Sequence, residues 1–136
     1  MITNVRILHH FSTLLPYTNS VLNHTPKDLL FFDIETTGLS PKTSRVFLIG
    51  LISFQPNTEE WQLIQFLTER NCDEEEQELL KAFSAFAESK TQLIHFNGNS
   101  FDIPYLVSRY ERHRLSNPLS CKNSLDLYRE FLRMPA

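Results

Sequence analysis

The sequence predicts an α/β domain with a mixed β-sheet, in which three antiparallel strands are followed by parallel strands and flanking helices. Three observations carry this prediction. Apolar runs separated by short turns indicate strands, two stretches have helical spacing, and a short fourth strand lies between those helices. A chain of 136 residues is close to the common size of one domain and can bury roughly two-thirds of its unfolded surface.

Three apolar segments form the predicted meander. They are residues 29–34, 46–54 and 61–67. The first is interrupted only by Asp33, which is typical of a central strand covered on both faces. Because the turns between these segments are short, neighbouring strands are expected to run antiparallel.

An acidic run opens the first predicted helix. Asp73-x-x-Glu76 resembles a capping box, and apolar residues follow at helical spacing up to Ala87. The acidic run at 73–78 is therefore interpreted as a helix start that complements the helix dipole rather than as a metal site.

A fourth strand at residues 92–96 follows this helix. Because a helical crossover leads into it, it is expected to lie parallel to the first strand and beside it. The Asn97-Gly98 turn then leads to a second helix, which carries Ile103, Leu106 and Tyr110 on one stripe.

Residues 1–28 lack sustained periodicity and are interpreted as an N-terminal extension that packs on a domain of residues 29–136. Three histidines in this extension have no convincing metal-ligand spacing: His9, His10 and His24. They are expected to be surface or packing residues.

Charge and cysteine usage narrow the functional class. Thirteen Lys plus Arg against sixteen Asp plus Glu argue against a dedicated electrostatic nucleic-acid binder, but not against a nuclease that uses cations to bridge acidic ligands and phosphates. Cys72 and Cys121 indicate neither a disulfide framework nor a zinc cluster. With no leader pattern and no long apolar run, the expected location is cytoplasmic, without membrane contact.

Two carboxylates lie at the end of the first strand, in Asp33-Ile34-Glu35-Thr36-Thr37-Gly38-Leu39. Side chains alternate along a strand, so Asp33 and Glu35 face the same side, roughly 7 Å apart along the backbone. Oxygen ligands in this arrangement favour Mg²⁺ or Mn²⁺ over zinc. A solvated strand end that enters a turn explains the pair equally well.

A second acidic element follows the fourth strand, in Asn97-Gly98-Asn99-Ser100-Phe101-Asp102-Ile103-Pro104-Tyr105-Leu106. Asp102 lies where a strand passes into a helix, and parallel neighbouring strands would bring it toward Asp33 and Glu35. Helix capping by Asp102 is the alternative, since Pro104 suits the first helical turn.

These two strings resemble known motifs. Asp33-x-Glu35-Thr36-Thr37-Gly38-Leu39 is similar to the first motif of the DnaQ-like 3′–5′ exonucleases, and Asn97-x-x-x-Phe101-Asp102-x-Pro104-Tyr105-Leu106 to the second. The second string most resembles the proofreading domain of family B DNA polymerases and YprB-like ribonuclease H-like proteins. The resemblance covers about residues 29–132.

The resemblance implies a ribonuclease H-like fold and a 3′–5′ exonuclease that acts on single-stranded DNA or RNA. Asp33, Glu35 and Asp102 would be catalytic and would hold two Mg²⁺ or Mn²⁺ ions. The residues implied to contact the terminal nucleotides flank this site: Thr36, Gly38, Leu39, Asn97, Asn99 and Phe101. Stacking on Phe101 competes with a core role, and Arg109, Arg112, His113 and Arg114 either contact phosphates or complement a helix C-terminus.

The third motif of the resemblance, a Tyr or His followed four residues later by a ligand Asp, is absent from these 136 residues. The only Asp after Asp102 is Asp126, and the position four residues before it holds Lys122. Asp126 is therefore expected either to have a structural role or to support the metal ligands without binding an ion itself. The domain is expected to be truncated at its C-terminus, and the chain alone to have little nuclease activity. For these 136 residues the absent ligand favours the alternative of an inactive nucleic-acid-binding or protein-interaction module, whereas the two intact motifs favour the exonuclease for the full gene product.

Overall fold

A six-stranded mixed sheet organises the described part of the chain. The computed structural model describes residues 1–9, 11, 25–120 and 122–133. The strands are β1 (Ile2–Ile7), β2 (Leu29–Thr36), β3 (Val46–Gln55), β4 (Glu60–Leu67), β5 (Gln92–His95) and β6 (Asn123–Asp126). The helices are α1 (Asp73–Ala87), α2 (Asp102–Arg112) and α3 (Leu127–Arg133), with a short 3₁₀ turn at Pro26–Asp28.

The strand order is β1-β4-β3-β2-β5-β6. β2 pairs antiparallel with β3, and β3 pairs antiparallel with β4, as the short turns predicted. β2 pairs in parallel with β5, and β5 with β6. The predicted fold class is confirmed, and β2 lies inside the sheet with its carboxyl end next to the β5–α2 connection.

Alternation along β2 divides the core into two layers. Leu30, Phe32 and Ile34 belong to the larger layer, which also contains buried residues of α1 and α2. Leu29 points to the other face and packs with Trp61 and Ile94. The face that carries Leu29 also carries Asp33 and Glu35, which become exposed as the strand leaves this layer.

β1 was not predicted from the sequence. Ile2–Ile7 pairs antiparallel with β4, from Ile2 opposite Leu67 to Ile7 opposite Gln62. All six residues are exposed, so neither face imposes the alternating pattern that identifies a half-buried strand. The division at residue 28 stays a prediction. His9 is exposed, whereas His10 and His24 lie outside the described residues.

α1 begins at Asp73 as predicted, but the capping box is wrong. The N-cap residue is Cys72, and no side chain caps the helix. Asp73 instead accepts a hydrogen bond from Arg45 at 2.8 Å, and the buried Glu76 accepts one from the Val46 amide at 2.7 Å. Asp73 and Glu76 therefore do not cap α1 but connect it to residues 45 and 46 at the start of β3. Within the described ranges, no helix has the length and apolar character needed to cross a membrane.

Candidate active site

Two exposed carboxylates project from the carboxyl-terminal half of β2. Asp33 is paired across the sheet with Gly50, and Glu35 with Leu48. A Cβ built on Gly50 meets nothing within 4 Å, so this position leaves open space beside Asp33. Both carboxylates are consequently accessible from solvent on one face of the strand.

A third carboxylate approaches from the first residue of α2. Asp102 is only 5% exposed, and its Oδ2 accepts a hydrogen bond from the Ile34 amide at 3.3 Å. That amide lies between Asp33 and Glu35 in the chain. The parallel pairing of β5 with β2 explains the approach, because the turn after β5 returns the chain to the end of β2.

The capping alternative for Asp102 is not what the structure shows. The N-cap residue of α2 is Phe101, and no side chain caps the helix. The Asp102 carboxylate bonds to the neighbouring strand instead. The Asp102 side chain thus links the start of α2 to β2.

Burial, the charge of Asp33 and a hydrogen bond between the two carboxyl groups together raise the pKa of Asp102 to about 7, although the hydrogen bond from the Ile34 amide acts to lower it. Glu35 adds a smaller repulsion. This cluster therefore holds more negative charge than its surroundings neutralise. Cations would relieve the repulsion, and an all-oxygen donor set suits Mg²⁺ or Mn²⁺. The residues present fit divalent ions.

Two segments flank these carboxylates. After β2, the Thr36 hydroxyl donates to the Gly38 carbonyl at 2.8 Å, and Leu39 is 88% exposed. After β5, Asn97 adopts a φ of 56° and Asn99 accepts a hydrogen bond from Ser124 at 3.2 Å. In the same segment Phe101 is half-buried, and its ring centroid lies 5.3 Å from that of Tyr105.

Comparison with known families decides the relationship. The sequence model of the RNase H superfamily matches residues 30–134, which include both acidic elements. The chain belongs to the RNase H superfamily. No curated protein matches it significantly.

Solved structures share this RNase H-like fold at low identity. A family B DNA polymerase from Pyrobaculum calidifontis aligns with a TM-score of 0.61 and 18% identity, over 79% of this chain and 16% of the polymerase. An apo exonuclease I aligns with a TM-score of 0.60 and 15% identity, over 76% and 29% of the two chains. Escherichia coli exonuclease I in complex with a dT13 oligonucleotide aligns with a TM-score of 0.57 and 16% identity, over 73% and 27%. The chain thus spans less than a third of each of these proteins.

Asp126 of this RNase H-fold chain makes structural contacts. It is 5% exposed, and its Oδ1 accepts hydrogen bonds from the amides of Asn97 at 2.7 Å and Tyr128 at 3.0 Å. Burial works to raise its pKa, but these amides hold it below the ordinary value. Asp126 ends β6, two strands from β2, so the strands are ~10 Å apart. These contacts support the structural role predicted from the sequence.

A different cluster has the tighter geometry expected of a single-ion site. Within the described residues, Asp73, Glu76 and His113 are the group whose ligand atoms all lie within 4.8 Å of one another; Asp33, Glu35 and Asp102 are spaced more widely. In that cluster, however, Glu76 is bound by Arg109 Nη2 and His113 Nε2, both at 2.6 Å. A guanidinium already supplies the positive charge there, so we interpret the cluster as a buried ion-pair network.

The same network corrects one expectation for the basic end of α2. Arg109 is 3% exposed and donates to Glu76 and to the Pro41 carbonyl. It therefore has no free surface for a phosphate. Arg112 and Arg114 are exposed, and His113 lies against Glu76. This role of Arg109 has no local signal in the sequence, because its partners are 33 and 68 residues away.

Proposed function

We propose that this RNase H-fold domain is a 3′–5′ exonuclease that hydrolyses phosphodiester bonds at single-stranded nucleic-acid ends with two Mg²⁺ or Mn²⁺ ions. One observation carries the proposal. Asp102 is buried against Asp33 and bound to the Ile34 amide, which joins the two acidic elements at the open end of β2.

The three carboxylates would divide the work of holding the ions. Asp33 and Glu35 are exposed and face solvent from one side of β2. Asp102 is fixed by a backbone amide, so its carboxylate does not have to be ordered when a ligand arrives. Ions held by these carboxylates would activate a water and stabilise the leaving oxygen. Because the three carboxylates are spaced more widely than the ligands of a single ion, they would suit two ions.

The two segments that flank the carboxylates would bind the 3′ end of the nucleic acid. Exposed Leu39 offers an apolar contact for a terminal base, beside the backbone of Thr36 and Gly38. Asn97, Asn99 and Phe101 border the site from the other side. The complex of the structurally similar exonuclease I with an oligonucleotide supports a single-stranded substrate.

Cleavage by residues 1–136 is expected to be slow. Asp126 is engaged by two amides, and no other Asp follows Asp102. Mg²⁺ sheds water reluctantly, so a site with three carboxylates should hold its ions weakly.

The test uses 5′-labelled single-stranded DNA and RNA with Mn²⁺ or Mg²⁺. We expect products shortened stepwise from the 3′ end, which disappear with EDTA and in Asp33→Ala. The matched control is Glu59→Ala, which removes an exposed carboxylate in the β3–β4 turn. A 3′-terminal phosphorothioate should slow the first step.

Two outcomes would contradict the proposal. Shortening that persists in Asp33→Ala would show that another site or a contaminant cleaves. Oligonucleotide binding without any cleavage across the range of ion concentrations would favour the inactive binding module.

A further inference from the structure

The loop after β2, residues 37–45, is held by two buried side chains of α2. Tyr105 is 2% exposed, and its hydroxyl donates to the Gly38 carbonyl at 3.0 Å. Arg109 donates from Nη1 to the Pro41 carbonyl at 2.8 Å. These residues are four apart, so they lie on one face of the helix, one turn from each other.

The loop is also closed by its own backbone. The Thr37 amide donates to the Arg45 carbonyl at 2.8 Å, and the Ser44 amide donates to the Ser40 carbonyl at 3.0 Å. A Cβ at Gly38 would lie 2.2 Å from Ser44 Oγ and 3.1 Å from Ser44 Cβ, so a larger residue would displace the Ser44 side chain from across the loop. The closed loop leaves its apolar side chain, Leu39, in solvent.

The guanidinium that reaches the loop is itself fixed. Arg109 Nε donates to the two carboxylate oxygens of Glu76 at 3.0 and 3.1 Å, and Nη2 donates at 2.6 Å. Glu76 in turn accepts from the Val46 amide, at the start of β3. Glu76 therefore holds the Arg109 guanidinium in place for its hydrogen bond to the Pro41 carbonyl.

We propose that Tyr105 and Arg109 are positioning residues, which fix the 37–45 loop so that Leu39 is presented to the last nucleotides of the substrate. This inference rests on the proposed function. The helix that carries both residues begins at Asp102, so one rigid element sets the positions of a site carboxylate and of the substrate loop.

Tyr105→Phe tests the proposal, because it removes one hydroxyl and keeps the buried ring. Tyr110→Phe is the matched control. Tyr110 lies on the same helix, is 1% exposed, and donates its hydroxyl to the Leu80 carbonyl at 2.7 Å, away from the loop. Each hydroxyl has a second partner, the Ser40 carbonyl at 3.5 Å for Tyr105 and Ser84 Oγ at 2.8 Å for Tyr110. Each variant therefore loses two hydrogen-bond contacts, and the global stability of Tyr110→Phe should fall at least as much as that of Tyr105→Phe.

The first measurement is amide hydrogen exchange at Thr37 and Ser44, whose hydrogen bonds close the loop. We expect faster exchange there in Tyr105→Phe than in Tyr110→Phe, by roughly threefold to tenfold, the equivalent of one hydrogen bond. Equal exchange in the two variants would overturn the positioning role. This measurement needs no substrate and is independent of nuclease activity.

The second measurement is the affinity for a single-stranded oligonucleotide, with EDTA present to prevent cleavage. Tyr105→Phe should weaken binding roughly threefold to tenfold, and Tyr110→Phe should not. In a Leu39→Ala background, Tyr105→Phe should add little, because it acts through Leu39. If the losses of affinity from Leu39→Ala and Tyr105→Phe were additive, Tyr105 would not act through Leu39 and the positioning role would be overturned. If loop exchange is faster in Tyr105→Phe but the wild-type protein binds no oligonucleotide, the positioning of the loop stands and the proposed function is overturned.

Discussion

Removing the Asp33 charge should stabilise the metal-free protein at high pH. In the folded protein burial is the largest cause that raises the pKa of Asp102, and the charge and hydrogen bond of Asp33 contribute to the rise to about 7. Between about pH 4 and pH 7 the unfolded chain has released this proton and the folded protein retains it, so the free energy of unfolding falls as pH rises. Asp33→Asn removes the Asp33 charge and should therefore make this decrease in the free energy of unfolding smaller.

The magnitude follows from the size and causes of the shift. A change from 3.8 to about 7 is roughly three pKa units, which corresponds to at most about 4 kcal/mol at 1.36 kcal/mol per unit. Burial is the largest cause and remains in the variant. The share that Asp33 contributes should therefore be about 1–2 kcal/mol near pH 8, and should vanish toward pH 4.

Comparison with wild type is needed because another group titrates in the opposite sense. Burial lowers the pKa of His95, with Arg129 acting in the same direction, so its contribution to stability is lost as pH falls through the ordinary histidine range. The difference between Asp33→Asn and wild type cancels this contribution and isolates the Asp33–Asp102 pair.

The assay is urea unfolding in EDTA at several pH values between about 5 and 8, with unchanged m-values as the condition for comparison. Glu59→Gln, an exposed carboxylate far from Asp102 in sequence, is the control and should show no pH-dependent gain. A constant difference across this range, or a loss of stability in Asp33→Asn at high pH, would refute the carboxylate repulsion.

The remaining predictions concern the core, the ion-pair network and the metal. Phe32→Ala should lower the free energy of unfolding by about 3–5 kcal/mol in urea titrations, whereas Phe96→Ala, at a side chain 59% exposed, should cost much less. Arg109→Met should cost about 3–5 kcal/mol because it removes the guanidinium that neutralises the buried Glu76, and Arg70→Met, at a side chain 76% exposed, should change the urea midpoint far less. Mn²⁺ should raise the melting temperature of wild type more than that of Asp33→Asn; an equal rise would place the ion elsewhere.

Local patterns predicted the elements that lie inside the sheet. The apolar run of β2 and the short turns around β3 fixed the antiparallel part, since each strand there buries at least one face. β1 escaped prediction because both its faces are exposed. Alternation likewise placed Asp33 and Glu35 on one side of β2, and their role in catalysis stays a prediction.

Long-range contacts could not be predicted in this way. The contact of Asp102 with the Ile34 amide joins residues 68 apart in sequence, and it depends on how α2 packs. Glu76 fitted a local capping pattern equally well, and only the arrangement of α1 and α2 shows that it pairs with Arg109. A periodic pattern identifies which side of an element is buried, but not which polar partner it meets there.

The arrangement of Asp102, Tyr105 and Arg109 along one helix sets where the chain can tolerate a change in length. Each residue inserted into an α-helix rotates everything beyond it by about 100°. One extra residue between Asp102 and Tyr105 would therefore turn both loop contacts away from Gly38 and Pro41 while leaving the carboxylate in place. An insertion beyond His113, which contacts Glu76, leaves Tyr105 and Arg109 in register with Asp102, so it should leave the 37–45 loop in place where an insertion within α2 does not.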